Sequence, residues 1–454
     1  MSDFAGLRIA LSSLHAQRRA MEVTGQNVAN LNTEGYSRQR VDMVAESGPV
    51  TPAVYSRYTG AGQGVRSGTV VRMRDQFMEL RGYQEHAVDS GLRRSQGILS
   101  RVELAFNEPS DTGLSALLGD FWAGWDDVAN NPTDEAARTQ LVERAQTLAN
   151  GFSQLDSSLA QLRQSSIAEL SSIVTDVNTS AQRIAELNAG IISAVAGGFP
   201  ANELMDQRDL LVSRLAKQVG VTVRAGESGT LDVFVAGTSL VSGTKANQLD
   251  VSVGTDPAQT VRVVWSQDGY PAGVTGEAGA LVGAIDDVLP RYRANLSAVA
   301  TQVANDVNAL HRTGFALDGS TGRDFFTVGP TGISVAAAIA ADPRLVAAAS
   351  SAGAGLDGSR AQQIAELTGA NEAYQELVVG LGVESQSVNR RVDVQAAIVA
   401  HVDDARESAA GVNLDEEMTA MVEYQHAYEA ASRFLTAVDE TLDTLINSTG
   451  RVGR

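Results

Sequence analysis

Apolar residues near the amino terminus recur at alternating spacings of three and four: Phe4, Leu7, Leu11, Leu14, Met21 and Val28. Arg18 and Gly25 fill the two remaining places. This is a heptad seam of about four repeats, and it predicts a helix packed against other helices. The carboxy-terminal segment repeats the pattern at Leu414, Met418, Met421, Gln425, Tyr428, Ser432, Leu435, Leu442 and Ile446. A second apolar line runs through Ala431, Phe434, Val438 and Leu445. Two readings follow. The seams hold the chain ends together as a coiled coil, or they also polymerise the chain, with the second line serving neighbouring copies.

Between these ends the periodicity changes twice. Residues 45–82, rich in Gly, Pro, Val and Thr, read as short strands and turns. From Thr133 to Ala196 a helical pattern runs through Leu148, Phe152, Leu155, Leu159, Leu170, Val174 and Val177. Unbroken, it would extend about 90 Å at about 1.5 Å per residue. It is therefore expected to break near Ser165 or Asn178, or to form a rod-like bundle with the helix of residues 284–312. A short helix from Asn202 to Gln218 leads into VTVRAG, TLDVFVAG, TSLVSG and VRVVWS, period-two segments that predict a small β unit ending near Gly283. Residues 313–360 read as loop. The expected fold is mainly α, elongated and nested. Residues 1–44 and 412–454 form a terminal coiled coil, and 45–85 a connecting strand and turn segment. Residues 86–217 and 284–411 form a helical rod, with 218–283 an inserted β domain.

Charge and composition remove several function classes. Net charge is −19 with a pI near 4.7 and no long Lys/Arg cluster, so nucleic acid and anionic membrane are excluded as partners. Cys is absent, which excludes disulfides, a thiol nucleophile and thiolate metal sites. No apolar run is long enough to span a membrane, and the first residues lack the apolar core of a cleaved signal. That predicts a cytoplasmic protein or one exported without a cleaved signal.

The candidate chemistry gives no enzyme. GAGLDG (353–358) matches a dinucleotide fingerprint by letter but follows an Ala/Ser stretch instead of a strand, and TGAGQG (59–64) is weaker. His401, Asp403 and Asp404 read as a solvated helix face, with no second ligand group at helical spacing. Glu416 and Glu417 follow Asn413 at a helix start, where acids favour the helix dipole. Trp122 and Trp125, three apart, read as core. No catalytic, cofactor-binding or metal-binding residue is assigned, and no cofactor is expected.

The first helix ends in Asn27-Val28-Ala29-Asn30-Leu31-Asn32-Thr33-Glu34-Gly35-Tyr36-Ser37-Arg38-Gln39. Asn30, Asn32 and Gly35 suit the turn or left-handed conformations that stop a helix. This stretch resembles the amino-terminal signature of the bacterial flagellar rod, hook and hook-associated axial proteins, and Ser37-Arg38-Gln39 resembles its hook-associated branch. Gly62-Gln63-Gly64-Val65 and Arg72-Met73-Arg74-Asp75-Gln76-Phe77 match the same branch. Leu204-Met205-Asp206-Gln207-Arg208-Asp209, Val307-Asn308-Ala309-Leu310-His311 and the carboxy end GVNLDEEMTAMVEYQHAYEAASRFLTAVDETLDTLIN are similar to its junction-forming group.

The resemblance implies a structural ring between hook and filament, one subunit per protofilament, with paired terminal helices lining an axial channel. It implies unfolded export by the flagellar type III apparatus and a dedicated chaperone on the carboxy-terminal helix beforehand. The implied partners are copies of the chain, the hook protein and a second junction protein. The implied location is the extracellular flagellum, with a cytoplasmic stage before export. Asn27, Asn30, Asn32, Thr33, Gly35, Tyr36, Arg38 and Gln39 would then form an assembly hinge. Terminal helices without partners are expected to be labile, with ordering coupled to assembly. Two alternatives stay open. One is a rod, hook or second junction protein, against which Asp206-Gln207-Arg208-Asp209 argues. The other is an axial protein whose middle domain hydrolyses wall or adheres, which needs paired carboxylates or an exposed aromatic platform near Trp265 and Tyr270.

Overall fold

Asp3–Ala29 form α1, and the chain then turns into an antiparallel ribbon of β1 (Gln39–Ala45) and β2 (Val65–Arg72). The computed structural model describes residues 3–46, 62–254, 260–329, 332–354 and 356–448, with the side chains of residues 3–5 and 448 left out. In the ribbon Val41 pairs with Val70, and Val41 packs under Ala20 and Val23 of α1. Helix α2 (Gln76–Phe106) starts inside the segment expected as strand and turn, because the Asp75 carboxylate accepts hydrogen bonds from Phe77 N and Met78 N. Helix α3 (Leu114–Asn130) follows, and then α4 (Glu135–Ala196).

Helix α4 is one unbroken helix of 62 residues, about 93 Å long at about 1.5 Å per residue. The break expected near Ser165 or Asn178 does not occur. Ser165 and Ser166 return their hydroxyls to Leu162 O, and Asn178 turns outward to a strand, so none of them interrupts the ladder. The second expectation, a bundle with the helix near 284–312, is the one realised. The length is tolerated because α4 serves two hydrophobic cores in succession.

The first core gathers α3, the first half of α4, α7 (Leu289–His311) and the start of α10 (Gly369–Ala410). Its centre is aromatic: Phe325 lies 5.0 Å from Trp125 and 4.9 Å from Phe326, centroid to centroid. Trp122 and Trp125 are both core residues, and Trp122 Nε1 donates to Asn371 Oδ1. The second core joins the rest of α4 to α5 (Asn202–Val219) and to a β unit. That unit has an antiparallel sheet of β3 (Thr222–Ala225), β4 (Leu231–Val235), β5 (Thr238–Ser242) and β6 (Lys245–Ala246). Beside it lies a pair, β7 (Leu249–Val253) and β8 (Val261–Trp265). Helix α6 (Gly276–Gly283) and a π-helical turn lead from it to α7.

Residues 313–360, expected as loop, hold a hairpin of β9 (Phe326–Gly329) and β10 (Gly332–Val335), α8 (Ala337–Ala341) and the first residues of α9 (Ser359–Ala365). They bury Phe325, Phe326, Ile333, Ile339 and Val346. Elements of four or five residues are too short to show a period, which is why the sequence hid them. The chain closes with α11 (Leu414–Ser448), capped by Asn413 Oδ1, which accepts from Asp415 N and Glu416 N.

Candidate functional site

Helices α1 and α11 pack antiparallel. A Cβ built on Gly6 would lie 3.4 Å from Val438 Cγ2, and at the other end Asn27 bonds Glu417. At one end Gly6 faces Val438 and Phe434, and at the other Tyr424 of α11 packs against Ala20 and Val23. On α1 the buried residues are Ala10, Ala16, Ala20, Val23, Thr24 and Asn27, and the ribbon of β1 and β2 covers part of this face through Val41. Leu7, Leu14, Met21 and Val28 are half-buried and Leu11 is exposed; the side chain of Phe4 lies outside the described residues.

On α11 the covered stripe borrows from both marked lines. Ala431 is buried, and Met421, Tyr424, Leu435, Val438 and Leu442 are half-buried. Leu414, Met418, Tyr428, Phe434 and Leu445 remain exposed, as does Val422, which lay on neither line. Apolar side chains on both terminal helices therefore stand open in the single chain.

The turn that follows α1 is closed by a hub. Asn27, 2% exposed, uses its whole amide. Its Nδ2 donates to Gln39 O and to Glu417 Oε2, both at 2.9 Å. Its Oδ1 accepts from Tyr36 Oη at 2.9 Å and from Gln39 N at 3.0 Å. One side chain thus joins α1, the hinge loop, β1 and α11. Arg38 adds a second tie, donating to Glu417 Oε1 at 2.7 Å and to Glu416 Oε2 at 2.8 Å, while its backbone N–H bonds Ala410 O. Helix-dipole reasoning explained acids at this helix start but missed this partner. Burial, followed by the carboxylates of Asp206, Glu417 and Glu203, pushes the Tyr36 hydroxyl up to about 12, so it remains a donor.

The turn itself is local. Asn30 Nδ2 bonds Gln26 O, Thr33 Oγ1 donates to Asn30 Oδ1, and Asn32 stands exposed. Gly35 adopts φ of 80°, and a Cβ there would lie 3.3 Å from Leu210 Cβ on α5. Left-handed backbone and a close neighbour together explain a glycine.

Below the turn an ion-pair chain ties this segment to the helical body. Ser37 Oγ donates to Asp206 Oδ1 at 2.8 Å, and Arg72 bridges Asp206 and Asp209 at 2.8 Å each. Arg74 joins Asp209 to Glu79, and Arg406 joins Glu79 to Asp403, which also meets His86 at 3.0 Å. Arg208 bonds Asp209 and Gly229 O. Burial would raise the Asp209 carboxyl, but Arg208, Arg74 and Arg72 outweigh it and hold the group below its ordinary value. The Asp206-Gln207-Arg208-Asp209 motif was visible as letters; its ion pairs depend on a strand more than a hundred residues earlier in the sequence.

The other candidates resolve into structure. His401 and Asp404 are exposed while Asp403 belongs to the ion-pair chain, and the described residues hold no cluster able to bind a metal. GAGLDG has no strand before it, and Asp357 accepts from Ser350 and Ser359. Residue 355 of that motif and residues 59–61 of TGAGQG lie outside the described residues. Trp265 is buried while Tyr270 is exposed, so they make no shared platform.

Comparison with known proteins covers most of the chain. Residues 99–326 match the family described as the flagellar hook-associated protein FlgK helical domain. Residues 7–36 match the flagella basal body rod protein family, and residues 406–448 the flagellar basal body rod FlgEFG protein C-terminal family. Flagellar hook-associated protein 1 of Bacillus subtilis is 30% identical over 506 aligned positions, covering 100% of both chains. The Salmonella typhimurium protein of the same name is 32% identical over 333, covering 70% of this chain and 59% of its own length. A solved structure, the flagellar hook junction protein FlgK of Burkholderia pseudomallei, is 30% identical with a TM-score of 0.49, covering 55% of this chain and 46% of that one.

Proposed function

The chain belongs to the flagellar hook-associated protein 1 family, structural and non-enzymatic proteins of the bacterial flagellum, and from that membership we propose that it forms the ring joining hook to filament. The observation that carries this reading is the state of the terminal helices. Each has an apolar surface left open beside a hinge in which Asn27 pairs its whole amide. A hinge built to this standard fixes the direction of α1 and α11, so their open surfaces are presented to neighbouring copies.

In this reading the marked residues Leu7, Leu11, Leu14, Met21, Val28, Leu414, Met418, Met421, Tyr428, Phe434, Leu435, Val438, Leu442 and Leu445 supply the assembly seam, with Phe4 continuing it. Neighbouring copies bury what the single chain leaves open, one subunit standing on each protofilament. The hook protein lies on one side and a second junction protein on the other. The chain reaches that place unfolded through the flagellar type III apparatus, its carboxy-terminal helix held by a chaperone until then.

Deletion of residues 413–454 tests the reading. It removes α11 and Glu417 but leaves both hydrophobic cores their own residues. The truncated chain should fold in its body, be absent from the hook's distal end by immunogold, and support no filament. Normal filament growth on the truncation would refute the polymerising role.

A further inference from the structure

The hairpin of α1 and α11 has outer edges of opposite charge. At about 100° per residue, Arg8, Leu11 and Arg18 fall on the side of α1 turned away from its buried Ala20. Their exposure agrees: Leu11 is 45% exposed and the Arg18 side chain 63%. Arg19 is exposed nearby, and Glu22 is shared between Arg18 and Arg19, so this edge keeps a positive surplus. On α11, Met418, Val422, Glu429 and Glu440 fall opposite the buried Ala431, and all four are exposed. Asp415 and Asp443 add further acid near this edge, against the single basic residue of the helix, Arg433.

We infer that copies of the chain join edge to edge heterologously, the basic α1 edge of one against the acidic α11 edge of the next. The inference rests on the ring reading and specifies its contact. Each edge carries an apolar centre, Leu11 on one and Met418 with Val422 on the other, flanked by charge. Joining α1 to α1 would set Arg8 and Arg18 against their own copies, and joining α11 to α11 would oppose Glu429 and Glu440 to themselves. Like charge across the contact rejects both isologous pairings, and only α1 to α11 brings opposite signs together. An isologous pair would stop at a dimer; a heterologous contact repeats from copy to copy and closes a ring or continues a filament.

The chain has no Cys, so cross-linking reads the arrangement directly. Full-length Leu11→Cys, Val422→Cys and the double variant would be expressed in bacteria lacking the native copy. Isolated flagella would then be oxidised and run under denaturing conditions. The two positions lie on opposite outer edges of one hairpin, so they cannot bridge within a chain. The double variant should give a ladder of oligomers beyond the dimer, and each single variant monomer alone. A dimer from either single variant, or no ladder from labelled flagella, overturns the arrangement.

Charge reversal gives a second readout. Arg8→Glu with Arg18→Glu should abolish filaments, and adding Glu429→Lys with Glu440→Lys should restore them. Full filament numbers with the first pair, or no recovery with all four, also overturn the inference. Failure of the ring reading itself looks different: immunogold then finds the parent chain away from the hook's distal end.

Discussion

Asn27 on α1 and Gln39 on β1 hold one another by a two-bond ring, with Asn27 Nδ2 donating to Gln39 O at 2.9 Å and Gln39 N donating to Asn27 Oδ1 at 3.0 Å. The same ring recurs between Asn178 and Leu249, Asn188 and Leu231, and Asn308 and Phe326. In each case the partner is the first residue of a strand. A carboxamide carries the same donor and acceptor as a peptide group, so a helix can pair with a strand's first residue without breaking its own ladder. These asparagines set where the strands begin, and with that the register that follows.

Replacing Asn188 with Ala should loosen the β unit more than the helices. Asn188 also donates to Gly243 O, so its loss leaves groups of two chain segments unpaired. An unsatisfied buried group costs about 1–3 kcal/mol. Hydrogen exchange should rise in β4 and β5 while α3 and α7, in the other core, stay protected. Asn178→Ala should show the same at β7. Uniform exchange across both cores would contradict the register role.

Asn27→Ala should act at the other end of the molecule. It strands Gln39 N, Gln39 O and one Glu417 oxygen together, while the body's two cores are untouched. Limited proteolysis should cut first near residues 30–38 and 411–413, and thermal unfolding of the body should keep its midpoint. A lowered body midpoint without faster cutting would show that Asn27 serves the fold generally.

How far the sequence could be read follows from these same residues. The helices were legible because Leu and Val recur over many turns, and α4 needed only its length to be noticed. The core roles of Trp122 and Trp125 followed from spacing alone. The β9–β10 hairpin was not legible, since four-residue strands show no period. The burial of Ala16 and Ala20 on α1 was not legible, because alanine carries little weight in a hydrophobic pattern. Asn27 was visible as part of a motif. Its four hydrogen bonds to three residues were not, because Glu417 lies 390 residues away and no periodicity links Asn27 to Tyr36 or Gln39. The ion-pair chain from Ser37 through Asp206, Asp209 and Glu79 to Asp403 was hidden for the same reason.

Gly35→Val should disturb the hinge by two routes. The backbone sits at φ of 80°, which a β-branched residue adopts poorly, and the new Cβ would press Leu210 at 3.3 Å. Left-handed backbone costs a side-chain-bearing residue about 1–2 kcal/mol before the contact is counted. Incorporation into flagella should fall sharply, while Gly35→Asn, which tolerates this conformation, should retain more of it. Equal incorporation of Gly35→Val and the parent chain would count against the hinge.

His311 gives the first core a pH dependence whose sign can be stated. It is 1% exposed; its Nε2 accepts from Ala347 N at 2.9 Å, so Nδ1 carries the proton and donates to Arg323 O at 2.8 Å. A second proton on Nε2 would oppose one N–H to another. Burial pushes the imidazole down from 6.5 to about 4, only partly offset by the bond to Arg323 O. The folded chain therefore stays neutral at this site between those values while the unfolded chain takes up a proton. Stability from this group is complete above about 6.5, falls as pH drops, and levels off below about 4, a loss on the order of 3 kcal/mol. Urea midpoints measured from pH 7.5 to 4 should show this slope in the parent chain. The slope should be shallower in His311→Gln, whatever that variant's stability at neutral pH. Parallel curves for the two proteins would mean that His311 is not the titrating group.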